Sequence, residues 1–174
     1  MVGWSDLPAD LSDTAALARL SQALPEDAVM VASDLRRARA TADAIAGPRQ
    51  RLPDDPDLRE MHFGAWELQP PEAIEDQARL HAFWDDPGAI TPPGGESWDA
   101  LSERVDRAVM RLLQEHPGRD IVAVAHFGVI LTRLQAGLRV APAEVFAHRI
   151  DNLSVTELSF GPTGWQVGRI NHRF

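Results

Sequence analysis

Residues 120–131 read DIVAVAHFGVIL, and the single histidine in that run decides how the chain is read. Ile121 to Ala125 are consecutive apolar residues, the character of a strand buried on both faces. From Gly128 the pattern changes to GVILTRLQAGL, which fits a helix over 128–138. A strand that passes directly into a helix sets its C-terminal end beside the helix N-terminus. Unpaired N–H groups and the positive end of the helix dipole there favour an anion. His126 stands at that junction.

A second junction has the same design. AVMVAS, residues 28–33, is short, apolar and partly β-branched, and DLRRARATADAIAG follows as a helix with Gly47 and Pro48 as stop signals. It carries Ser33 and Arg37. In open α/β sheets, ligands bind at the carboxyl ends of the strands. Arg37 can lay a planar fork of donors against phosphate oxygens. His126 can donate a second charged bond when protonated. The N–H groups of Phe127 and Gly128 can add more, and Gly128 leaves room for close approach. Singly, each feature has a bland explanation. A histidine at a strand end is commonly structural, Arg37 is one of three arginines in RRAR, and Ser33 suits a cap. The repeated design is what points to an anion.

The remaining chain supplies layers for such a sheet. TAALARLSQAL (14–24) has helical spacing, with Ser12 or Asp13 as N-cap and Pro25 as stop. RQRLPDDPDLREM is turn-rich with room for a short strand, and LREMHFGAWE follows as strand or loop. PPEAIEDQARLHAFWDDP predicts a helix starting at the prolines and ending near Pro87, and GAITPPGGES (88–97) predicts a loop. The clearest helix starts at Ser97 as cap and stops at Pro117–Gly118. Leu101, Val105, Ala108, Leu112 and Leu113 share its apolar face. RIDNLSVTELSF and GWQVGRINHRF, joined by a GPTG turn, predict a hairpin. Together these give one α/β domain over 1–174: three layers, a mostly parallel sheet with helices on both faces, and an antiparallel finish.

Composition limits the partners. The net charge of −9 disfavours nucleic acid and anionic membranes, but a local positive pocket can still take one small phosphorylated molecule or inorganic phosphate. All 17 basic residues are arginine. Without cysteine there is no disulfide, thiolate catalysis or thiolate metal site. No His-Glu-x-x-His spacing or carboxylate cluster suggests a metal, and no cofactor is expected. MVGWSDLPADLSD has neither a basic start nor an apolar stretch, and no apolar run reaches the roughly 18 residues of a membrane span, so a cytoplasmic protein is expected.

Four segments, in order, resemble the histidine phosphatase superfamily, the phosphoglycerate-mutase-like group. ASDLRRARATADAIA is similar to its Ser-x-Leu-x-Arg-Ala-x-x-Thr-Ala segment, with Ser33, Leu35, Arg37, Ala38, Thr41 and Ala42. LREMHFGAWE is similar to its Leu-x-Glu-x-x-Phe-Gly-x-Trp-Glu segment, with Glu60, Phe63, Gly64, Trp66 and Glu67. PPGGES resembles the Pro-Gly-Gly-Glu-Ser loop, and VAVAHFGVI the second-histidine motif, with Phe127 where the family usually has glycine. GWSDLP, from Gly3, also fits an early Gly-Trp-x-Asp stretch. The resemblance implies phosphoryl transfer to a histidine and then to water, without metal. Arg37 would clamp the phosphoryl group, His126 would stabilise its charge, and Glu60 would give and later take the proton. Gly3, Ser33, Phe127 and Gly128 would line the substrate site, the Gly94–Gly95 loop its rim, with His62 near Glu60. Residues 68–98 would form a lid. His81, His116, His148 and His172 have no partner pattern, and Trp66, Trp84 and Trp98 suit core or lid packing.

The family's nucleophile lies in an N-terminal strand ending in Arg-His-Gly, and this chain has no such tripeptide. The expectation is an α/β domain lacking the first, central strand, and a chain that is inactive or severely impaired as it stands. A misplaced start or shortened form, a natural phospholigand-binding relative, or a replacement nucleophile would each explain it. An uncovered strand edge would leave the domain marginal or self-associating, a homodimer for instance. The short length is closer to the family's small phosphatases, such as those resembling α-ribazole phosphatase, than to its mutases, the weaker alternative.

Overall fold

Val29–Ala32 form strand β1, and all four residues are buried to 1 % exposure or less, as only a strand covered on both faces allows. The computed structural model describes residues 1–88 and 90–174. β1 is the middle of a parallel sheet of order β2-β1-β3, with β2 at Gln50–Arg51 and β3 at Ile121–Val124. Its side chains alternate between two cores. Met30 and Ala32 pack with Leu17, Leu20, Ala38 and Ile45 of helices α1 (Thr14–Ala23) and α2 (Arg36–Ile45). Val31 packs with Leu58, Leu101, Val105, Leu131 and Leu134 beneath helices α4 (Trp98–Glu115) and α5 (Phe127–Leu138). The expected layers are therefore present.

Local chemistry sets the element ends. Asp13 caps α1 by accepting from the Ala16 N–H, and Ser97 caps α4 by accepting from the Ala100 N–H. The helix expected from the paired prolines divides instead. Pro71–Ala73 make one 3-10 turn, and helix α3 starts only at Gln77, after Asp76 accepts from the Arg79 N–H, and runs to Asp85. That side-chain cap sets the start that the prolines only suggested. In the loop expected over 88–97, Ala89 lies outside the described residues. On α4, Leu113 is only partly buried, and Arg104 takes a place on the core face. After α5 and the short helix α6 (Pro142–Val145), strands β4 (Leu158–Gly161) and β5 (Gly164–Val167) form the expected hairpin. No described helix is long and apolar enough to cross a membrane.

β3 pairs with β1 on one edge and, among the described residues, has no strand on the other. Its side chains show it: Ile121, Val122 and Val124 are half-buried and Ala123 is exposed. The sheet of β4 and β5 is separate from it.

Candidate active site

The site grows from the two strand-to-helix junctions. β1 and β3 run parallel in register, Ala32 opposite Val124, and the Ser33 N–H donates to the Val124 carbonyl at 3.0 Å. Both strands therefore end at one level, and α2 and α5 start there before packing on opposite faces of the sheet. Arg37, early in α2, reaches His126, the N-cap of α5: its Nε–H donates to His126 Nδ1 at 3.3 Å. The other two nitrogens donate to the carbonyls of Ser5 (3.0 Å) and Gly3 (2.7 Å). Three of five guanidinium N–H groups are thus committed, and two have no acceptor among the described residues.

This contact fixes the imidazole. Because Nδ1 accepts, the proton of the neutral ring sits on Nε2. That nitrogen is buried, with no hydrogen-bond partner among the described residues. Burial, with the Arg37 and Arg104 charges nearby, pushes the His126 pKa down to about 3. The ring is therefore neutral near pH 7 and keeps one N–H donor, on Nε2. Protonation would turn Nδ1 into a donor and cancel the Arg37 bond. An anion arriving at this junction would therefore couple a proton on His126 to the release of Arg37.

Glu60 completes the cluster. Its carboxylate accepts from the Gly128 N–H at 3.0 and 3.1 Å, one oxygen to each distance, and from its neighbour Met61 at 2.8 Å. The Gly128 N–H expected to face a phosphate is thus held by Glu60. Gly128 is required by contact: a Cβ there would lie 2.4 Å from Glu60 Oε1. Burial raises the Glu60 pKa, although the two N–H donors, Arg37 and Arg104 pull against it. Glu60 is buried, 8 % exposed, and the neighbouring Arg59 turns away from it to grip Asp34 at 2.6 and 2.7 Å.

The other expected residues fall into support roles. Gly3 passes its carbonyl to Arg37 and fits only without a side chain, since a Cβ would sit 2.2 Å from the Met61 carbonyl. Ser33 is fully buried, and its hydroxyl accepts from the Leu35 N–H, bracing the turn into α2. Phe127 is 43 % exposed at the mouth of the site. His62 stacks on Trp4 (centroids 4.5 Å apart), with Nε2 3.8 Å from Glu67. The Gly94–Gly95 loop lies behind the Glu60 segment, where the Glu96 N–H donates to the His62 carbonyl and the Ala65 N–H to the Pro93 carbonyl. Trp66 and Trp98 are buried, whereas Trp84 is exposed.

Two contributors, Arg104 and Phe146, were missed, and Glu67 was matched only as part of a motif with no role. Arg104, buried on α4, donates to the carbonyls of Asp57, Arg59 and Glu60 and pairs with Glu96 at 2.6 Å. An arginine among Leu101, Val105 and Ala108 was its signal. Glu67 accepts from the Trp4 and Ser5 N–H groups at 2.7 and 2.6 Å, pinning the loop that holds Arg37. Phe146, past α6, joins an aromatic recess beside Glu60, and nothing local in the sequence marked it. Among the described residues no cluster of histidine, aspartate and glutamate is arranged to hold a metal.

The histidine phosphatase superfamily (branch 1) matches residues 3–173. The chain is 37 % identical over 128 residues to adenosylcobalamin/alpha-ribazole phosphatase of Escherichia coli K12, covering 71 % of this chain and 62 % of that protein. Among solved structures, Bacillus stearothermophilus YhfR aligns with TM-score 0.88 at 25 % identity, over 98 % of this chain and 88 % of that one. Mycobacterial glucosyl-3-phosphoglycerate phosphatase aligns with TM-score 0.81 at 26 % identity, over 100 % and 92 %. The chain spans 62 % of the length of the E. coli protein and 38 % of that of mycobacterial relatives 35 % identical to it. Sequence match and fold agree: the chain belongs to branch 1 of the histidine phosphatase superfamily.

Proposed function

We propose that this site serves hydrolysis of a small phosphomonoester through a phosphohistidine. The observation that supports it is the meeting of Arg37, His126 and Glu60 at the ends of two parallel strands. Arg37 supplies a fixed cation, and His126 becomes one when a dianion arrives. Glu60, its pKa raised by burial, is placed to give a proton to the leaving oxygen. Ionised after that transfer, it takes a proton from the water that attacks the phosphohistidine. The relatives named as phosphatases agree with this chemistry. The segment 68–98, with α3, is the proposed lid. It carries no basic cluster, which disfavours a substrate with several phosphates.

The attacking histidine is a separate matter. No Arg-His-Gly occurs in residues 1–174, and His62 is stacked on Trp4. We therefore propose that residues 1–174 alone bind phosphate and leave monoesters intact. Hydrolysis of p-nitrophenyl phosphate is compared for this chain and for a fusion carrying a strand that ends in Arg-His-Gly ahead of Met1. The proposal expects turnover only in the fusion. An inactive fusion, with phosphate binding still weakened by Arg37→Ala, would instead favour a phospholigand-binding protein.

A further inference from the structure

Resting on that reading, we propose that Glu67 is a positioning residue that sets how strongly Arg37 holds a dianion, and that it acts through the peptide unit joining Gly3 to Trp4. That one peptide spans the two charges. The Trp4 N–H donates to Glu67 Oε1 at 2.7 Å, and the Gly3 carbonyl accepts from Arg37 Nη2 at 2.7 Å. An anion at the N–H end and a cation at the carbonyl end polarise the amide in the same sense, so each bond strengthens the other. A second path runs through the next residue. Ser5 donates its N–H and its hydroxyl to Glu67 Oε2 at 2.6 and 2.5 Å, and its carbonyl accepts from Arg37 Nη1 at 3.0 Å. Both terminal nitrogens of the guanidinium therefore rest on a loop that one carboxylate holds in place.

The surroundings keep this relay tight. A Cβ on Gly3 would lie 2.6 Å from Glu67 Oε1, so the carboxylate and the peptide approach as closely as glycine allows. Trp4 is anchored separately: its Nε1 donates to the Glu60 carbonyl at 2.8 Å, and its ring stacks on His62. Burial pushes the Glu67 pKa up, but the Ser5 hydroxyl and the Trp4 and Ser5 N–H groups outweigh it, with His62 adding in the same direction, and hold the carboxyl below its ordinary value. An ionised carboxylate is what the loop needs, because it only accepts and the loop offers it only donors. Without that grip the loop N–H groups turn to water and the two carbonyls lose their fixed places. Arg37 must then be ordered at the moment the dianion binds, and binding weakens.

The experiment titrates sulfate into the full chain, Glu67→Gln, Arg37→Ala and the double variant, followed by NMR so that weak binding is still read. Glutamine keeps the shape of the side chain but sets an NH2 donor against a loop N–H. Glu67→Gln should weaken sulfate roughly tenfold, and should change it by less than about twofold once Arg37 is alanine, because the effect passes through the guanidinium. Glu67→Asp, which keeps the charge on a shorter arm, should fall between the wild type and Glu67→Gln. If Glu67→Gln does not fold, Glu67→Asp runs the same cycle, with a smaller weakening that again vanishes in Arg37→Ala. Equal weakening in both Arg37 backgrounds, or none in either, overturns this inference and leaves the site reading intact. Sulfate that fails to bind the wild type, or binds Arg37→Ala equally well, overturns both.

Discussion

Replacing water by a dianion at Arg37 should put a proton on His126. In the free site, burial and two arginines hold the imidazole pKa at about 3 rather than 6.5. At about 1.4 kcal/mol per decade this corresponds to about 5 kcal/mol against the charged ring. A dianion about 4 Å away, at an effective dielectric constant of about 20, returns roughly 8 kcal/mol. The attraction exceeds the cost, so the bound complex carries imidazolium near neutrality. Protonation also frees the Arg37 Nε–H from Nδ1, so both groups turn to the ligand together. Sulfate is the suitable probe, because this tetrahedral dianion does not titrate near neutrality. Calorimetry at pH 6 in buffers of different ionisation enthalpy should show uptake of close to one proton per sulfate bound, and His126→Gln should abolish it. Binding without proton uptake, or the same uptake in His126→Gln, would refute the reasoning.

Other consequences follow from the same contacts. A lowered His126 pKa means the unfolded chain binds the extra proton, so this contribution is present above pH 6.5 and lost as pH falls toward 3. Urea unfolding at pH 7 and pH 4 should show the wild type losing about 3 kcal/mol more than His126→Gln. Gly128→Ala drives a Cβ to 2.4 Å from Glu60 Oε1, and the displaced, buried carboxyl should destabilise the chain by about 2–4 kcal/mol despite alanine's better helix propensity. Equilibrium denaturation checks it, and a neutral result would mean the Glu60 contact is dispensable. Arg104→Met leaves Glu96 and three carbonyls without their partner, and should cost about 3–5 kcal/mol in the same assay. The open edge of β3 should make the chain self-associate with rising concentration in sedimentation velocity, with Ala123→Lys suppressing it; a monomer at every concentration would count against that.

The residues that carry chemistry at strand ends were legible because periodicity changes there. Switching from an apolar run to helical spacing at His126 and at Asp34–Arg37 located both junctions before any contact was known. Why the starts of α2 and α5 bring Arg37 and His126 into contact was not legible, since it depends on the register of Ala32 opposite Val124. Glu60 could be placed only through motif likeness. Its burial under α5 comes from a contact 68 residues away along the chain. Phe146 reaches the recess through tertiary packing on Trp98 and Trp84, so no local pattern announced it. The start of α3 escaped for a different reason. Two prolines suggested a first turn, and the side chain of Asp76 provided the real one.

The account depends on Arg37 and His126 holding one tetrahedral dianion between them. A crystal structure grown with a phosphomonoester tests this most directly. Phosphate oxygens should lie about 2.7–3.2 Å from both the guanidinium and the imidazole ring, with the leaving group toward Glu60. A ligand bound elsewhere, with Arg37 Nε still donating to an unoccupied His126, would contradict it.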